Sequence, residues 1–312
     1  MKVIGLDKEK NILRLAIKKR YPALLIGETG LGKTYLLRNL AQSFQRPMVR
    51  VPLNGEVGIN ELLGKWLVRD GSTYWQDGVL VDAMRTGKWI LLDELNAALP
   101  EVLFCLNALL DDSRSIVLSE KDGEKIEPHE NFRLFATMNP TDEYAGTKET
   151  NKALLSRFIV VLWIGNYPAE TEKEIIKYQS GVDDYSASIL VDVANQIRKL
   201  KKEKKIWYTC SVRDVISWGK LFKSSKNLAE AFLYAILNKA ESEERELLIK
   251  TAEVITKSMK IEWDIKQREL KKLLTGEILE AQKKYKEKIA RLQKALEEVK
   301  GKFKDLQLEV DK

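Results

Sequence analysis

The sequence predicts an α/β protein: a parallel sheet with crossover helices and two hairpin insertions, then an all-helical region and a long helical tail. Three observations carry this. Short, nearly all-apolar runs alternate with helical patterns over residues 1–165. From Pro168 onward strand signals vanish and helical periodicity runs to about 258. Residues 262–312 are Lys/Glu-rich, proline-free and regularly spaced. Alternating strand and helix signals are the mark of crossover units.

Strands are expected at 22–26, 47–52, 88–92, 132–137 and 158–163, each apolar enough to be covered on both faces. Two hairpins interrupt the scheme. Asp70 and Gly71 lie between KWLVR and STYW, and Asp122 and Gly123 lie between SIVLS and EKIEP; Asp-Gly is a hairpin-turn dipeptide. Trp66, Tyr74 and Trp75 flank the first turn. They suit either gripping a substrate or holding the hairpin together as cross-strand pairs.

The composition excludes some classes. The chain has 312 residues, 44% of them hydrophobic, and a net charge of +7. That mild excess fits an ordinary Lys-rich surface better than a dedicated nucleic-acid face. Two distant cysteines, Cys105 and Cys210, and one histidine, His129, assemble neither a disulfide framework nor a metal cluster. The start MKVIGLDKEK lacks an apolar signal core, and no uncharged run approaches about 18 residues. The expectation is a soluble, cytoplasmic protein with no membrane partner.

Residues 27–34, GETGLGKT, match GxxxxGKT directly after a strand and before a helical pattern, the context such a loop requires. Gly27, Gly30 and Gly32 let the backbone curl, so the N–H groups of a loop that also holds Glu28, Thr29 and Leu31 turn inward. The next helix points its positive end at the phosphates. Lys33 reaches the β- and γ-phosphates, and Thr34 offers its hydroxyl to magnesium. At 89–96, WILLDELN, four apolar residues end in Asp93 and Glu94. A carboxylate at a strand's end beside a phosphate loop suits magnesium, and a second can orient and deprotonate water. Asp93 is assigned to the metal and Glu94 to the water. The run LFATMNP, 134–140, ends in Asn139, at the sheet edge where such folds bind ligands. Its amide can position water or touch the γ-phosphate without adding charge.

With LLSRF at 154–158, these motifs resemble the AAA+ ATPases, P-loop NTPases. More narrowly they resemble the branch holding MoxR, CbbQ/NorQ, midasin, dynein and the McrB motor. GINELLGKW, WQDGVLVDAMRTGKWILLDELNAALPEVLFCLNALLDD and ATMNP followed by YAGTKETNKALLSRF carry the closest likeness. The hairpins correspond to the branch's insertions in the second core helix and before the sensor strand. The resemblance implies ATP and magnesium bound between subunits of a homo-oligomeric ring, usually a hexamer. Arg157 matches the finger that reaches a neighbour's γ-phosphate. Arg213, in the first turn of a helix opened by the S-x-x-D pattern of Ser211 and Asp214, matches the second sensor. Whether Arg213 acts in its own subunit or a neighbour's stays open here. The resemblance divides the chain into an ATPase core (1–165), a helical lid (168–258) and a tail (262–312).

In the tail, Tyr285, Ile289, Leu292, Leu296, Val299, Phe303, Leu306 and Val310 alternate in steps of four and three, a coiled-coil seam. Residues 262–312 span roughly 75 Å if helical throughout. Such a helix pairs with another copy or a partner, or folds back on its own lid. RKLKKEKK, 198–205, suits a solvated helix end better than a phosphate-backbone contact. The function implied is a MoxR-like chaperone that remodels or activates a partner protein, in this family often one of von Willebrand A type. The alternatives are a nucleic-acid motor like McrB and a scaffold whose assembly ATP switches.

Overall fold

The computed structural model describes residues 2–53, 55–111, 113–140 and 152–257. The coiled-coil seam expected over 262–312 lies outside them, as do residues 141–151 of the stretch running into LLSRF. Chain contacts divide the protein into two compact units. Among the described residues, the first holds those up to Ala194 and Cys210–Lys220; the second holds Asn195–Thr209 and those from Leu221 to Lys257.

The first unit is built on five parallel strands. β1 (Ala23–Ile26) lies between β8 (Arg133–Met138) and the edge strand β9 (Val160–Trp163), and β5 (Trp89–Asp93) lies between β8 and the other edge, β2 (Met48–Pro52). Every residue of β1 and β5 is buried, as their unbroken apolar runs require. The register sets Leu92 beside Ala136 and Pro52 beside Asp93, so β2, β5 and β8 end together. The side chains that follow these ends therefore share one edge. Trp89 is held between Phe44 and Phe135, with ring centroids 5.6 and 5.4 Å away.

Helices cover the sheet. α1 is Asp7–Lys19, with acids in its first turn and lysines in its last, matching the helix dipole at both ends. α2 (Lys33–Ser43) buries Leu36, Leu37 and Leu40. α3 (Ile59–Leu63) and α4 (Val79–Thr86) bracket the first hairpin, and α5 (Pro100–Leu110) opens with proline at its first position, where no N–H is needed. On α5, Cys105 packs against the core, and burial pushes its thiol up to about 11. A short α6 (Lys152–Leu155) precedes β9, and α7 (Ala169–Ser180) follows it.

Both hairpins form where expected. β3 (Gly64–Arg69) and β4 (Ser72–Asp77) turn through Asp70 and Gly71, both in the left-handed region, as a two-residue primed turn demands. β6 (Ile116–Leu118) and β7 (Glu124–Ile126) are joined by a longer turn that also ends in two left-handed residues, Asp122 and Gly123. Trp66 and Trp75 are cross-strand partners, edge to face at 5.6 Å, a contact that helps join the two strands. Trp66 Nε1 also donates to the Glu120 carbonyl at 2.8 Å, and Arg85 bridges Asp77 and Glu124 at 2.9 and 2.6 Å. The two insertions are thereby tied to each other.

Two helices pass from one unit into the other. α8 spans Asp184–Lys202 and α9 spans Val212–Ser225. The second unit adds α10 (Leu228–Ala235) and α11 (Ser242–Lys257). Asn227 caps α10 by accepting from the Glu230 N–H at 3.0 Å. Within this unit the buried Glu244 carboxylate accepts from the N–H groups of Trp207 and Tyr208, fixing the loop after α8. Residues 202–205 of the basic run are exposed, with Lys205 paired to Glu203 at 2.7 Å, as a solvated helix end would be.

Candidate active site

The phosphate loop leaves β1 under steric constraint. A Cβ on Gly27 would stand 2.4 Å from the Ile164 carbonyl oxygen on the neighbouring strand's end, so no larger residue fits. Close approach, not curl, is what Gly27 provides; this corrects the expectation for one of the three glycines. Gly30 and Gly32 do curl the chain, with φ of 89° and 83°. α2 begins immediately after, at Lys33, so the unpaired N–H groups of its first turn belong to the loop. The Tyr167 hydroxyl donates to the Leu31 carbonyl at 2.8 Å, and burial pushes its pKa up to about 12, so it remains a donor.

Lys33 folds back over this loop. Its Nζ donates to the carbonyls of Gly27 at 2.5 Å and Glu28 at 3.0 Å, and to Asn139 Oδ1 at 3.0 Å. Burial lowers its pKa from 10.5 to about 8; Asp93 opposes the shift and Arg213 adds to it. Asp93, at the tip of β5 and only 6% exposed, faces Thr34, whose hydroxyl lies 3.4 Å from each carboxylate oxygen. Thr137 donates to Asp93 Oδ1, and Arg50 reaches Oδ2 through Nε at 2.6 Å and Nη2 at 2.5 Å.

Glu94 follows in the left-handed conformation, φ 62°, which turns its side chain away from the buried line of β5 and leaves it exposed. Its N–H donates to Thr137 Oγ1 at 3.3 Å. Asn96 Nδ2 donates to the Asn139 carbonyl at 3.4 Å, tying the two strand ends together. The capping pattern at α9 is reciprocal. Ser211 Oγ accepts from the Asp214 N–H at 3.2 Å, and Asp214 Oδ2 accepts from the Ser211 N–H at 3.0 Å. That cap sets Arg213 in the first turn, against the loop: a Cβ on Gly30 would stand 3.3 Å from the Arg213 Cβ.

These groups line one cavity of about 470 Å³, within the range of small-molecule sites. Thr29 to Thr34, Asp93, Glu94, Asn139 and Arg213 all border it. Arg157 does not. Its Nε pairs with Asp111 at 2.6 Å and its Nη1 donates to the Ala153 carbonyl at 2.7 Å. The hydroxyl and carboxylate oxygens of Thr34 and Asp93 are the hard donors that suit magnesium, and the loop with Lys33 and Arg213 suits phosphates. Val3, Ile4, Ile175 and Ile216 give the cavity an apolar side.

Sequence reasoning missed Arg50, Thr137 and Tyr167. A signal for the first existed: Arg50 is a charge in the middle of an otherwise apolar strand.

Comparison with known proteins agrees with this geometry. The family model described as AAA domain (dynein-related subfamily) matches residues 22–158, and that described as CbbQ/NirQ/NorQ C-terminal matches residues 172–258. Midasin of Dictyostelium discoideum is 32% identical over 262 residues, 82% of this chain but only 4% of the midasin's length. Protein CbbQ of Hydrogenophilus thermoluteolus is 34% identical over 187 residues, 60% of this chain and 68% of CbbQ. Protein NorQ of Paracoccus denitrificans (strain Pd 1222) is 32% identical over 230 residues, 73% of this chain and 83% of NorQ. The chain belongs to the AAA+ ATPases, in the branch that holds CbbQ, NorQ and midasin.

Proposed function

We propose that this chain is an ATPase that assembles into a homo-oligomeric ring, a hexamer by family resemblance, and couples hydrolysis of Mg-ATP to remodelling or activating a partner protein. The observation that carries this reading is the convergence of Lys33, Thr34, Asp93, Glu94, Asn139 and Arg213 on one cavity at the carboxyl edge of the sheet. Lys33 trades its carbonyl partners for β- and γ-phosphate oxygens. Thr34 and Asp93 hold the magnesium ion, which when bound draws charge from those phosphates. Glu94, free of the core at the cavity's rim, takes the proton of the attacking water. Asn139 keeps Oδ1 on Lys33 and offers its amide N–H groups to the γ-phosphate. Arg213, on the same chain as the loop it faces, acts within its own subunit.

Arg157 has a different place. It is tethered to Asp111 and a helix carbonyl outside its own cavity, which supports a role at the neighbouring subunit's site, where charge develops in the transition state. In this reading the functional parts are the core (1–165), the lid (168–258) and a coiled-coil tail (262–312) that pairs with another copy or the partner. The partner class by family resemblance is a von Willebrand A-type protein, and the compartment is the cytoplasm. The test is capture with a Glu94→Gln variant held in ATP, from native extract, with and without nuclease. A nuclease-insensitive protein that is lost in Lys33→Ala supports a protein remodeller. Partners that vanish with nuclease make it a nucleic-acid motor.

A further inference from the structure

Arg50 has no task in the chemistry above, yet it makes a two-pronged charged contact with Asp93. Both Nε and Nη2 of its guanidinium bond to one oxygen of Asp93, Oδ2, at 2.6 and 2.5 Å, while Thr137 donates to the other. A carboxylate as buried as Asp93 needs a counter-charge whenever no cation is bound. Arg50 supplies it from β2, the strand paired to β5. Its side chain is 44% exposed and lines the cavity, so it can move without unpacking the core.

A divalent cation at Asp93 and Thr34 would share that carboxylate with a guanidinium that cannot shed its proton. The two positive groups repel at close range, so each disfavours the other at Asp93. The guanidinium also has somewhere to go. The cavity it borders is the one assigned to the phosphates, whose oxygens accept a guanidinium in the same two-pronged way as a carboxylate.

We propose that Arg50 is a competitor built into the metal site. It holds Asp93 while no divalent cation is bound and yields that carboxylate when cation and nucleotide arrive together, and the Asp93 contact it gives up outweighs any phosphate contact it then makes. Arg50 thus sets the cation concentration at which the site engages nucleotide. The inference rests on the ATPase reading. A residue that merely propped Asp93 in place would have the opposite effect: removing a prop raises the magnesium requirement, whereas removing a competitor lowers it.

The sign is measurable by binding alone. The full chain, at a fixed concentration of a fluorescent non-hydrolysable ATP analogue, is titrated with magnesium chloride. The reading is the half-saturating magnesium concentration. Arg50→Ala is expected to lower it about tenfold, the scale of one charge-assisted contact, with Arg50→Lys in between. In an Asp93→Asn background the same substitution should shift nothing. Melting temperatures without nucleotide check the fold; if Arg50→Ala does not fold, Arg50→Gln, which keeps the length without the charge, carries the comparison. An unchanged or raised half-saturating concentration overturns the inference while leaving the ATPase reading intact. A wild-type chain that binds no analogue at any magnesium concentration overturns both.

Discussion

Lys33 Nζ donates to Asn139 Oδ1 at 3.0 Å, joining the phosphate loop to the end of β8 across 106 positions of sequence. In this arrangement the ammonium is satisfied by three oxygens of its own chain. A phosphate must compete with the two carbonyls for it, while the bond to Asn139 holds the amide beside the γ-phosphate position. The pair therefore links occupancy of the loop to the geometry of the proposed reaction.

Asn139→Ala should separate binding from chemistry. The phosphates keep Lys33, so affinity for ATP is expected to change by less than about threefold. Turnover is expected to fall about a hundredfold, the usual cost of losing one aligned donor. A loss of affinity with turnover at saturation unchanged would assign Asn139 to binding only.

The lowered pKa of Lys33 gives nucleotide binding a pH dependence. With its free-state pKa near 8, Lys33 is partly neutral above that pH, and bound phosphates favour the charged form. Binding at pH 8.5 should take up protons, and at pH 6.5 it should take up none through this group. Affinity should be full below about pH 8 and decline above it. Calorimetry in buffers of different ionisation enthalpy measures the uptake, and Lys33→Arg should abolish it. For the nucleotide-free fold the sign is opposite. The unfolded chain holds the proton up to about 10.5, so the cost of the buried charge is full below pH 8 and fades as pH rises through that window.

Glu94→Gln and Lys33→Ala should fail at different steps. The first is expected to bind ATP normally and to turn it over 100 to 10,000 times more slowly, roughly the contribution of a general base. The second should lose ATP binding, seen as loss of the nucleotide-induced rise in melting temperature.

The cap at the start of α9 should matter to stability and binding alike. Ser211→Ala breaks its half of the reciprocal pair and should cost about 1 kcal/mol in denaturant unfolding. Arg213→Ala should leave stability within about 0.5 kcal/mol while weakening ATP binding.

Much of this was legible because it is local. Apolar runs gave the strands, Asp-Gly gave both turns, and Ser211 with Asp214 announced a helix start. Asp93 and Asn139 could be placed at one edge because each closes an apolar run. What stayed hidden depends on strand order and distant packing. Arg50 meets Asp93 only because β2 lies beside β5, and nothing in MVRVP names its neighbour. Tyr167 grips the loop at Leu31 from 136 positions away, and Val3 and Ile4 line the cavity from the chain's start. The pairing of Trp66 with Trp75 was open in the sequence because nothing there fixes which residues face each other; the strand register sets them opposite.

The central claim is that one catalytic site is completed by two subunits. Arg157→Ala and Glu94→Gln chains, each expected to be inactive alone, should be mixed in equal amounts and assayed for ATP hydrolysis. Arg157→Ala chains keep an intact Glu94, and Glu94→Gln chains keep an intact Arg157. Random mixing then rebuilds about a quarter of the interfaces, and activity should return toward that fraction of wild type. No recovery in a mixture shown to co-assemble, or normal hydrolysis by Arg157→Ala alone, would contradict a site shared between subunits.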